Sequence, residues 1–243
     1  NSILNITPAT GAAAAKPFTM TTQNAKNVIK KGFNIEGDLD NYDNTGLERF
    51  NIIEFDKDFE EVCKEYGVNI TERRLEIMKK TGYVYYRYER EGETGSFLRA
   101  FGYSNKGKTA AHMNFDVPEK IQGKGFARKT LQAFVKQYQK AGVKRISLAA
   151  NKDIGGYAWA RYGFHVPREE MDMIEFTDRI YYLKFKQVTE KYFRENPTAE
   201  SFPMRIIADM PEGKRMLLGT TWTGELDLTD RAAVKTFENY LFN

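Results

Sequence analysis

The chain has 243 residues, of which 41% are apolar and 29% are charged, and its formal net charge is +4. These proportions are typical of a soluble globular protein that can bury a sizeable core. The charge is too small and too dispersed for a dedicated nucleic-acid-binding protein, although Lys106, Lys108 and Lys124 are basic. Cys63 is the only cysteine, which excludes an internal disulfide. No apolar run approaches membrane-spanning length.

The first part of the chain, residues 1–30, is predicted to be an N-terminal arm or linker. It combines a Pro- and Gly-containing segment at 7–11 with a run of four alanines, and a short helix is expected over 22–31. The chain begins with Asn, not Met, and carries no signal-peptide pattern. We therefore expect a processed product, an excised fragment or a trimmed chain.

The next segment is predicted to contain a strand and two helices. Residues 47–55 are expected to form the strand, Asp56 to cap the first helix, and Gly67 to end it. The second helix is expected to begin at 71–74. Cys63 lies on the apolar face of the first helix, where a small buried side chain is favoured over a nucleophile.

Three strands and their turns follow. The strands are predicted at 83–90, 96–103 and 109–117, and the turns at 91–95 and 105–108. We expect them to form an antiparallel meander that packs on the helix beginning at Phe126.

A glycine-containing loop, Gln122-Gly123-Lys124-Gly125-Phe126-Ala127, connects this last strand to an amphipathic helix. The apolar face of the helix is predicted to carry Ala127, Leu131, Phe134 and Tyr138. Glycines at a strand-to-helix turn allow close approach of a ligand to the backbone, and the free amides of the helix N-terminus favour an anion. The loop is therefore a candidate phosphate or pyrophosphate site, with a plain tight turn as the alternative.

The segment 115–164 resembles the Gcn5-related N-acetyltransferase (GNAT) superfamily. The resemblance is carried by the loop Gln122-x-x-Gly125-x-Ala127, the strand 145–150 followed by Asn151, and the closing helix that ends in Gly163-Phe164. Upstream, it extends only through the order of the elements. The resemblance implies an α/β, GNAT-like fold with a mixed, mostly antiparallel central sheet flanked by helices. It places the acyltransferase domain at 31–166 and a mainly helical C-terminal extension at 167–243.

The same resemblance implies acetyl-coenzyme A as cofactor and an amine-bearing acceptor, which is a small molecule or a protein. The residues implied to bind the cofactor are Phe115, Val117, Gln122, Gly123, Lys124, Gly125, Phe126, Ala127, Asn151 and Trp159. Asn151 contacts the pantetheine arm or caps the next helix, and Trp159 forms a wall of the cofactor cleft or packs in the core.

The family often uses a tyrosine, four residues before the closing glycine, to protonate the leaving thiolate. In this chain Trp159 occupies that position, and an indole is not a useful acid. Tyr157 is the alternative candidate for the acid, and packing is the competing interpretation of both Tyr157 and Tyr162.

The candidates for a catalytic base lie on the strand before the loop. His112, Asn114 and Asp116 alternate with Met113 and Phe115, so they are predicted to share one face of the strand. His112 is the preferred base because its free pKa lies near neutrality, and Asp116 is the second candidate. A solvated polar face is the competing interpretation.

The C-terminal extension is predicted to be helical over 169–194 and to end in a helix capped by Thr229 or Asp230. Acidic residues near Asp227 do not show the spacing of a metal site, so no metal is expected. The tail is loosely similar to phage and mobile-element proteins with GNAT-like modules. A larger parent protein or a virion assembly is therefore a candidate partner, and the host cytoplasm or a virion the expected location.

Two functions remain open at this level. The first is an acetyl-coenzyme A-dependent N-acetyltransferase. The second is a catalytically weak, GNAT-shaped structural or interaction module of a phage, virion or effector protein. The glycine loop favours the first function, and Trp159 at the position of the usual acid favours the second.

Overall fold

The computed structural model describes residues 17–150 and 155–242, which divide into two compact units. The first unit ends at Arg145 and the second begins at Ile146. Asn151 and the run of four alanines lie outside the described residues. The division into domains at 30/31 and 166/167 stays a prediction.

The first unit is a five-stranded sheet with helices. Its elements are α1 (Thr22–Lys30), β1 (Phe33–Gly37), α2 (Ile52–Glu65), β2 (Asn69–Ile77), β3 (Gly82–Arg90), β4 (Glu93–Ser104), β5 (Gly107–Asp116) and α3 (Phe126–Ala141), with 3-10 turns at Leu39–Asn44 and Glu119–Ile121. The strands lie in the order β1-β2-β3-β4-β5. β1 runs parallel to β2, and every other pair in this unit is antiparallel.

Aromatic side chains from α2, β4 and α3 form the core of this unit. The ring of Phe134 on α3 lies 4.2 Å from that of Phe55 on α2 and 5.1 Å from that of Phe97 on β4. Phe59 packs on Phe97 at 5.1 Å. All four side chains are fully buried, and burial of such rings dominates the stability of a core. The predicted meander, packed on α3, is confirmed.

The predicted strand at 47–55 is wrong. Its second half belongs to α2, which is capped by Asn51: the Asn51 Oδ1 atom accepts from the amide of Glu54 at 3.0 Å. Asp56 is therefore not a cap. It lies inside the helix and is fully buried. Apolar residues of a short buried helix and of a strand are similar in spacing, and only the cap distinguishes them. Gly67, with φ of 64°, follows the end of α2 as predicted.

The predicted helix from 71 is also wrong, because this segment is strand β2. Leu75 and Ile77 are buried, while their neighbour Glu76 is half-buried. β2 pairs with β1 on one side and β3 on the other, so sheet pairing overrides the local helical signal. Strand β1 was not predicted from the sequence.

A bulge in β5 changes which side chains face the core. Leu98 pairs with Asn114, but the next residue, Arg99, pairs with His112, so Met113 is the extra residue. Met113 is 56% exposed. The predicted common face of His112, Asn114 and Asp116 is therefore wrong: His112 is on the core side, and the bulge reverses the alternation after it.

The second unit contains a small sheet and further helices. Its elements are β6 (Arg145–Ala150), α4 (Gly155–Arg161), β7 (His165–Pro167), α5 (Arg179–Glu195), β8 (Ser201–Pro203), α6 (Arg205–Ala208), α7 (Gly213–Leu217), β9 (Trp222–Asp227) and α8 (Arg231–Phe242), with a 3-10 turn at Arg168–Met173. The strand order is β6-β9-β7-β8, and β7 is antiparallel to both neighbours.

The last helix, α8, begins as predicted. The Asp230 Oδ1 atom accepts from the amide of Ala232 at 2.8 Å, so Asp230 is its cap. The expected fold class is confirmed: mixed α/β, with mostly antiparallel strands, flanking helices and a mainly helical C-terminal extension. No helix in ranges 17–150 and 155–242 is long and apolar enough to cross a membrane.

Candidate functional site

The loop between β5 and α3 is built around two glycines in the left-handed region. Gly123 has φ of 70° and Gly125 has φ of 98°. Side chains with a Cβ rarely adopt this conformation, so the loop needs glycine at both positions. A Cβ on Gly125 would also lie 3.0 Å from the hydroxyl of Tyr66. Gly123 has open space around it, so its requirement is purely conformational.

The N-terminus of α3 presents free amides. Gly125 precedes the helix without a side-chain cap, and its carbonyl accepts the first helical bond from the amide of Lys129 at 3.0 Å. Among the described residues, the amides of Gly125 and 126–128 have no hydrogen-bond acceptor. A 16-residue helix adds its dipole to these donors. This arrangement can bind an anion such as a phosphate or a pyrophosphate.

Two exposed cations of the loop region, Lys124 and Arg128, have no ion pair within 4.0 Å in the described part of the chain. Two neighbouring lysines, by contrast, are paired with carboxylates. Lys120 pairs with Glu91 at 2.8 Å, and Lys129 pairs with Glu65 at 2.6 Å. Lys124 and Arg128 are therefore the side chains available to add positive charge at the helix N-terminus.

Two further residues fix the ends of the loop. The Gln122 side chain donates from Nε2 to the carbonyl of Val117 at 2.8 Å, which closes the loop on the end of β5. The Phe126 side chain is fully buried, and its ring packs on that of Tyr88 at 5.3 Å. Gln122 and Phe126 therefore stabilise the loop from within. Their predicted contact with a cofactor stays a proposal.

The predicted apolar face of α3 is only partly correct. Leu131, Phe134 and Tyr138 are buried, but Ala127 is exposed. The buried position of the first turn is Phe126. Because Ala127 is small and exposed at the helix N-terminus, it leaves its amide accessible to a ligand.

His112, the predicted base, lies in the core. It is 5% exposed, and its Nε2 atom is 2.8 Å from the hydroxyl of Tyr138. Burial and, to a smaller extent, the charge of Arg99 lower the pKa of His112 well below its ordinary value. A neutral imidazole is retained near neutral pH, but its burial does not favour contact with a substrate amine.

Asn114 and Asp116 lie on the other face of β5. The Asn114 Nδ2 atom donates to Asp116 Oδ2 at 3.1 Å and to Ser96 Oγ at 2.9 Å. Asp116 is exposed and is the candidate base that solvent can reach. Phe115, by contrast, contacts the ring of Phe97 at 6.1 Å, and both Phe115 and Val117 are half-buried.

The two aromatic candidates of the second unit lie on α4. The Tyr157 hydroxyl accepts from Arg161 Nη1 at 3.1 Å, and Tyr157 is half-buried. The Trp159 ring packs between Tyr162, at 5.5 Å, and Phe164, at 5.4 Å. Within the second unit, Trp159 therefore packs against aromatic neighbours. Asn151 lies outside the described residues, so its predicted contact stays a proposal.

Sequence reasoning missed two residues at this site, Tyr66 and Arg99. The Tyr66 hydroxyl donates to the carbonyl of Lys124 at 3.1 Å, and Arg99 is fully buried beneath the bulge of β5. Tyr66 is distant in sequence from the loop, and Arg99 is one of many basic residues. Neither the spacing nor the composition distinguishes them.

Other chemistry is less well supported. A cleft of about 460 Å³ lies at the N-terminal end of α2, lined by Asn51 and Lys57 among others. Tyr66 lies at the opposite end of α2, about 14 Å by helical rise beyond Lys57, so the cleft is separate from the loop. Burial raises the pKa of the Cys63 thiol to about 12, which makes it a poor nucleophile. No cluster of three potential metal ligands occurs among the residues that the structure describes.

Comparisons with known proteins gave matches among solved structures only. No family model matches the chain, and no curated protein matches it. A GNAT family acetyltransferase from Elizabethkingia anophelis, solved with acetyl-CoA bound, is 13% identical with a TM-score of 0.31, covering 60% of this chain and 76% of that chain.

Two further solved structures have similarly low identities and TM-scores to this chain. An IAA acetyltransferase from Bacillus cereus is 19% identical with a TM-score of 0.32, covering 60% of this chain and 78% of that chain. RimL, a ribosomal L7/L12 alpha-N-protein acetyltransferase, is 14% identical with a TM-score of 0.29, covering 60% and 70%. All three are described as acetyltransferases.

Proposed function

We propose that this chain is an N-acyltransferase that transfers an acetyl group from acetyl-coenzyme A to an amine. The observation that carries the proposal is the set of uncapped amides from Gly125 onward at the N-terminus of α3, preceded by two glycines with positive φ. In this function the amides of Gly123 and 125–127 bind the pyrophosphate of the coenzyme, while the amide of Lys124 donates to the carbonyl of Ile121 at 3.3 Å, and the Lys124 and Arg128 side chains add charge.

The transfer requires no nucleophile from the protein. The acceptor nitrogen attacks the thioester carbonyl, the C–N bond forms, the C–S bond breaks, and the amine loses a proton while the thiolate gains one. The buried Cys63 thiol, with its raised pKa, supports this direct route. Catalysis then depends on positioning and on proton transfer. Asp116 is the proposed base, because it is exposed whereas His112 is buried.

The second candidate function is a module of the same shape that binds partners without catalysis, as part of a larger phage, virion or effector protein. The observation that favours it is Trp159, which stands at the position of the usual acid and is packed between Tyr162 and Phe164. An amine-bearing small molecule or protein is the acceptor in the first function. In the second function the partner is the parent assembly.

Calorimetric titration with acetyl-coenzyme A and with desulfo-coenzyme A tests the cofactor site without knowledge of the acceptor. We expect both ligands to bind the wild type. Gly125→Val should abolish binding, because φ of 98° and the Tyr66 hydroxyl at 3.0 Å exclude a larger side chain. Unchanged affinity in Gly125→Val would contradict the proposed site.

Gly142→Val is the matched control. Gly142 follows the C-terminus of the same helix with φ of 71°, and open space surrounds it. The substitution imposes a similar backbone strain at the other end of α3. It should lower stability but leave coenzyme binding unchanged. Tight binding with no thioester cleavage on any amine tested would favour the second function.

A further inference from the structure

The hydroxyl of Tyr66 connects helix α2 to the glycine loop. Tyr66 directly follows α2, and its hydroxyl donates to the carbonyl of Lys124 at 3.1 Å, across 58 positions of sequence. Lys124 lies between the two glycines with positive φ. The bond therefore reaches the peptide unit that joins Lys124 to the second of these glycines, Gly125.

The planarity of the peptide bond converts this contact into an orientation of the next amide. In a trans peptide, the C=O of residue 124 and the N–H of residue 125 point in opposite directions. Because Tyr66 holds the Lys124 carbonyl toward α2, the Gly125 N–H points away from α2. This N–H is the first of the unoccupied amides at the N-terminus of α3.

The Tyr66 ring is itself held in place. It packs edge-on against the buried ring of Phe126 at 5.5 Å and 79°. The ammonium of Lys129 lies 5.9 Å from the centre of the ring and pairs with Glu65, the neighbour of Tyr66. The ring thus has fixed contacts that do not depend on the hydroxyl, so Tyr66→Phe removes the hydrogen bond alone.

We propose that Tyr66 is a positioning residue for the anion site, because its hydrogen bond to the Lys124 carbonyl turns the Gly125 amide toward the bound pyrophosphate. The inference rests on the proposed function for the identity of the ligand. Tyr66 itself does not touch the ligand. Its effect is to select the one orientation of the Lys124–Gly125 peptide in which the amide is available.

The test compares wild type and Tyr66→Phe with two acyl donors. Acetyl-coenzyme A carries the pyrophosphate, and S-acetylpantetheine carries the same thioester without it. The dissociation constant for acetyl-coenzyme A should rise by about three- to tenfold, the range that corresponds to loss of one exposed hydrogen bond. The KM for S-acetylpantetheine and the kcat with either donor should not change.

A loop readout is taken from the ligand-free proteins. In ¹⁵N-labelled samples, we expect the amide signals of Gly125 and Phe126 to shift or broaden in Tyr66→Phe. The control is Tyr103→Phe, which also loses a hydroxyl bond, to Glu48, but does not contact the loop. It should leave the loop signals and the affinity for acetyl-coenzyme A as they are in the wild type.

Unchanged loop signals together with unchanged affinity for acetyl-coenzyme A in Tyr66→Phe would overturn the inference. An equal loss with both donors would also overturn it, since that result indicates a general structural defect. If the wild type fails to bind acetyl-coenzyme A, the proposed function is wrong. The signals of Gly125 and Phe126 then still decide whether Tyr66 orients this peptide.

Discussion

The guanidinium of Arg99 donates from Nη1 to the carbonyl of Asn114 at 2.6 Å, at the point where β5 bulges. The same nitrogen donates to the carbonyl of Leu98 at 3.0 Å. One donor therefore satisfies two carbonyls, one from each strand, where the bulge interrupts the ladder. The guanidinium is fully buried among phenylalanine rings, with the closest centroid, that of Phe115, at 5.1 Å.

The first prediction is that Arg99→Met lowers the free energy of unfolding by about 1–3 kcal/mol, because two partly buried carbonyls lose their donor. Arg99→Lys should lose less, since an ammonium keeps the charge and the N–H donors on a side chain only one bond shorter. Urea unfolding measures both variants. Arg87→Met is the control, because Arg87 is exposed on β3 and should cost under about 0.5 kcal/mol. Equal stability of Arg99→Met and wild type would refute this role.

The second prediction concerns acid stability. Burial lowers the pKa of His112 in the folded protein, so below the unfolded pKa of about 6.5 the unfolded chain binds a proton that the folded protein does not. The free energy of unfolding should therefore fall as the pH decreases from about 6.5, by up to about 1.4 kcal/mol per pH unit. His165, whose pKa is also lowered by burial, contributes in the same direction.

Urea unfolding at pH 5 to 7 checks this dependence. His112→Gln, which can still bond to the hydroxyl of Tyr138, should reduce the slope, and the double variant with His165→Gln should reduce it further. His165→Gln alone serves as the control for the contribution of the second unit. The same slope in His112→Gln as in the wild type would show that His112 is not buried neutral.

The glycine loop and the strand–helix segment around it could be predicted because their signals are local. The structure of a segment is set by its sequence neighbours at the two glycines, along the amphipathic helix and in the turns at 91–95 and 105–108. The bulge at Met113 could not be predicted, because it depends on Arg99 from another strand. The bulge also decides which candidate base solvent can reach, since it places His112 on the opposite face from Asn114 and Asp116.

The wrong helix prediction at β2 and the missed strand β1 have the same origin. β1 and β2 form a parallel pair, and such a pair is stabilised by neighbours distant in sequence rather than by local alternation. Tyr66 was missed because its contact with Lys124 depends on where α2 ends. Local chemistry therefore locates the candidate anion site, and long-range contacts decide which side chains pack against its loop.

The third prediction concerns the buried carboxylate Asp56. Its Oδ1 atom accepts from Arg73 Nε at 2.7 Å and from the Tyr86 hydroxyl at 2.9 Å, and Lys31 lies 3.3 Å from Oδ2. Asp56→Asn removes the buried negative charge that Arg73 and Lys31 share, although Glu60 still pairs with Arg73 at 2.7 Å, and we expect the free energy of unfolding to fall by about 2–3 kcal/mol.

Asp58→Asn is the control on the same helix. Asp58 pairs with Lys136 at 2.8 Å, where both side chains are partly exposed, so its loss should cost under about 1 kcal/mol. Thermal and urea unfolding of the two variants make the comparison. If both variants lose the same stability, the buried network of Asp56 does not contribute in the way described.

The last prediction concerns the acid of the proposed transfer. Trp159 cannot protonate the leaving thiolate. Tyr157 lies earlier on the same helix, and its hydroxyl accepts a hydrogen bond from Arg161 Nη1 at 3.1 Å. If Tyr157 is the acid, Tyr157→Phe should slow turnover by about tenfold or more, since general acid catalysis contributes roughly a hundredfold or more and less with a good leaving group such as a thiolate. The dissociation constant for acetyl-coenzyme A should not change.

Tyr162→Phe, which keeps its ring packing on Tyr240, is the control and should retain wild-type turnover. Wild-type turnover in Tyr157→Phe would instead identify water as the proton donor, because a thiolate leaves readily enough near neutral pH to be protonated after departure.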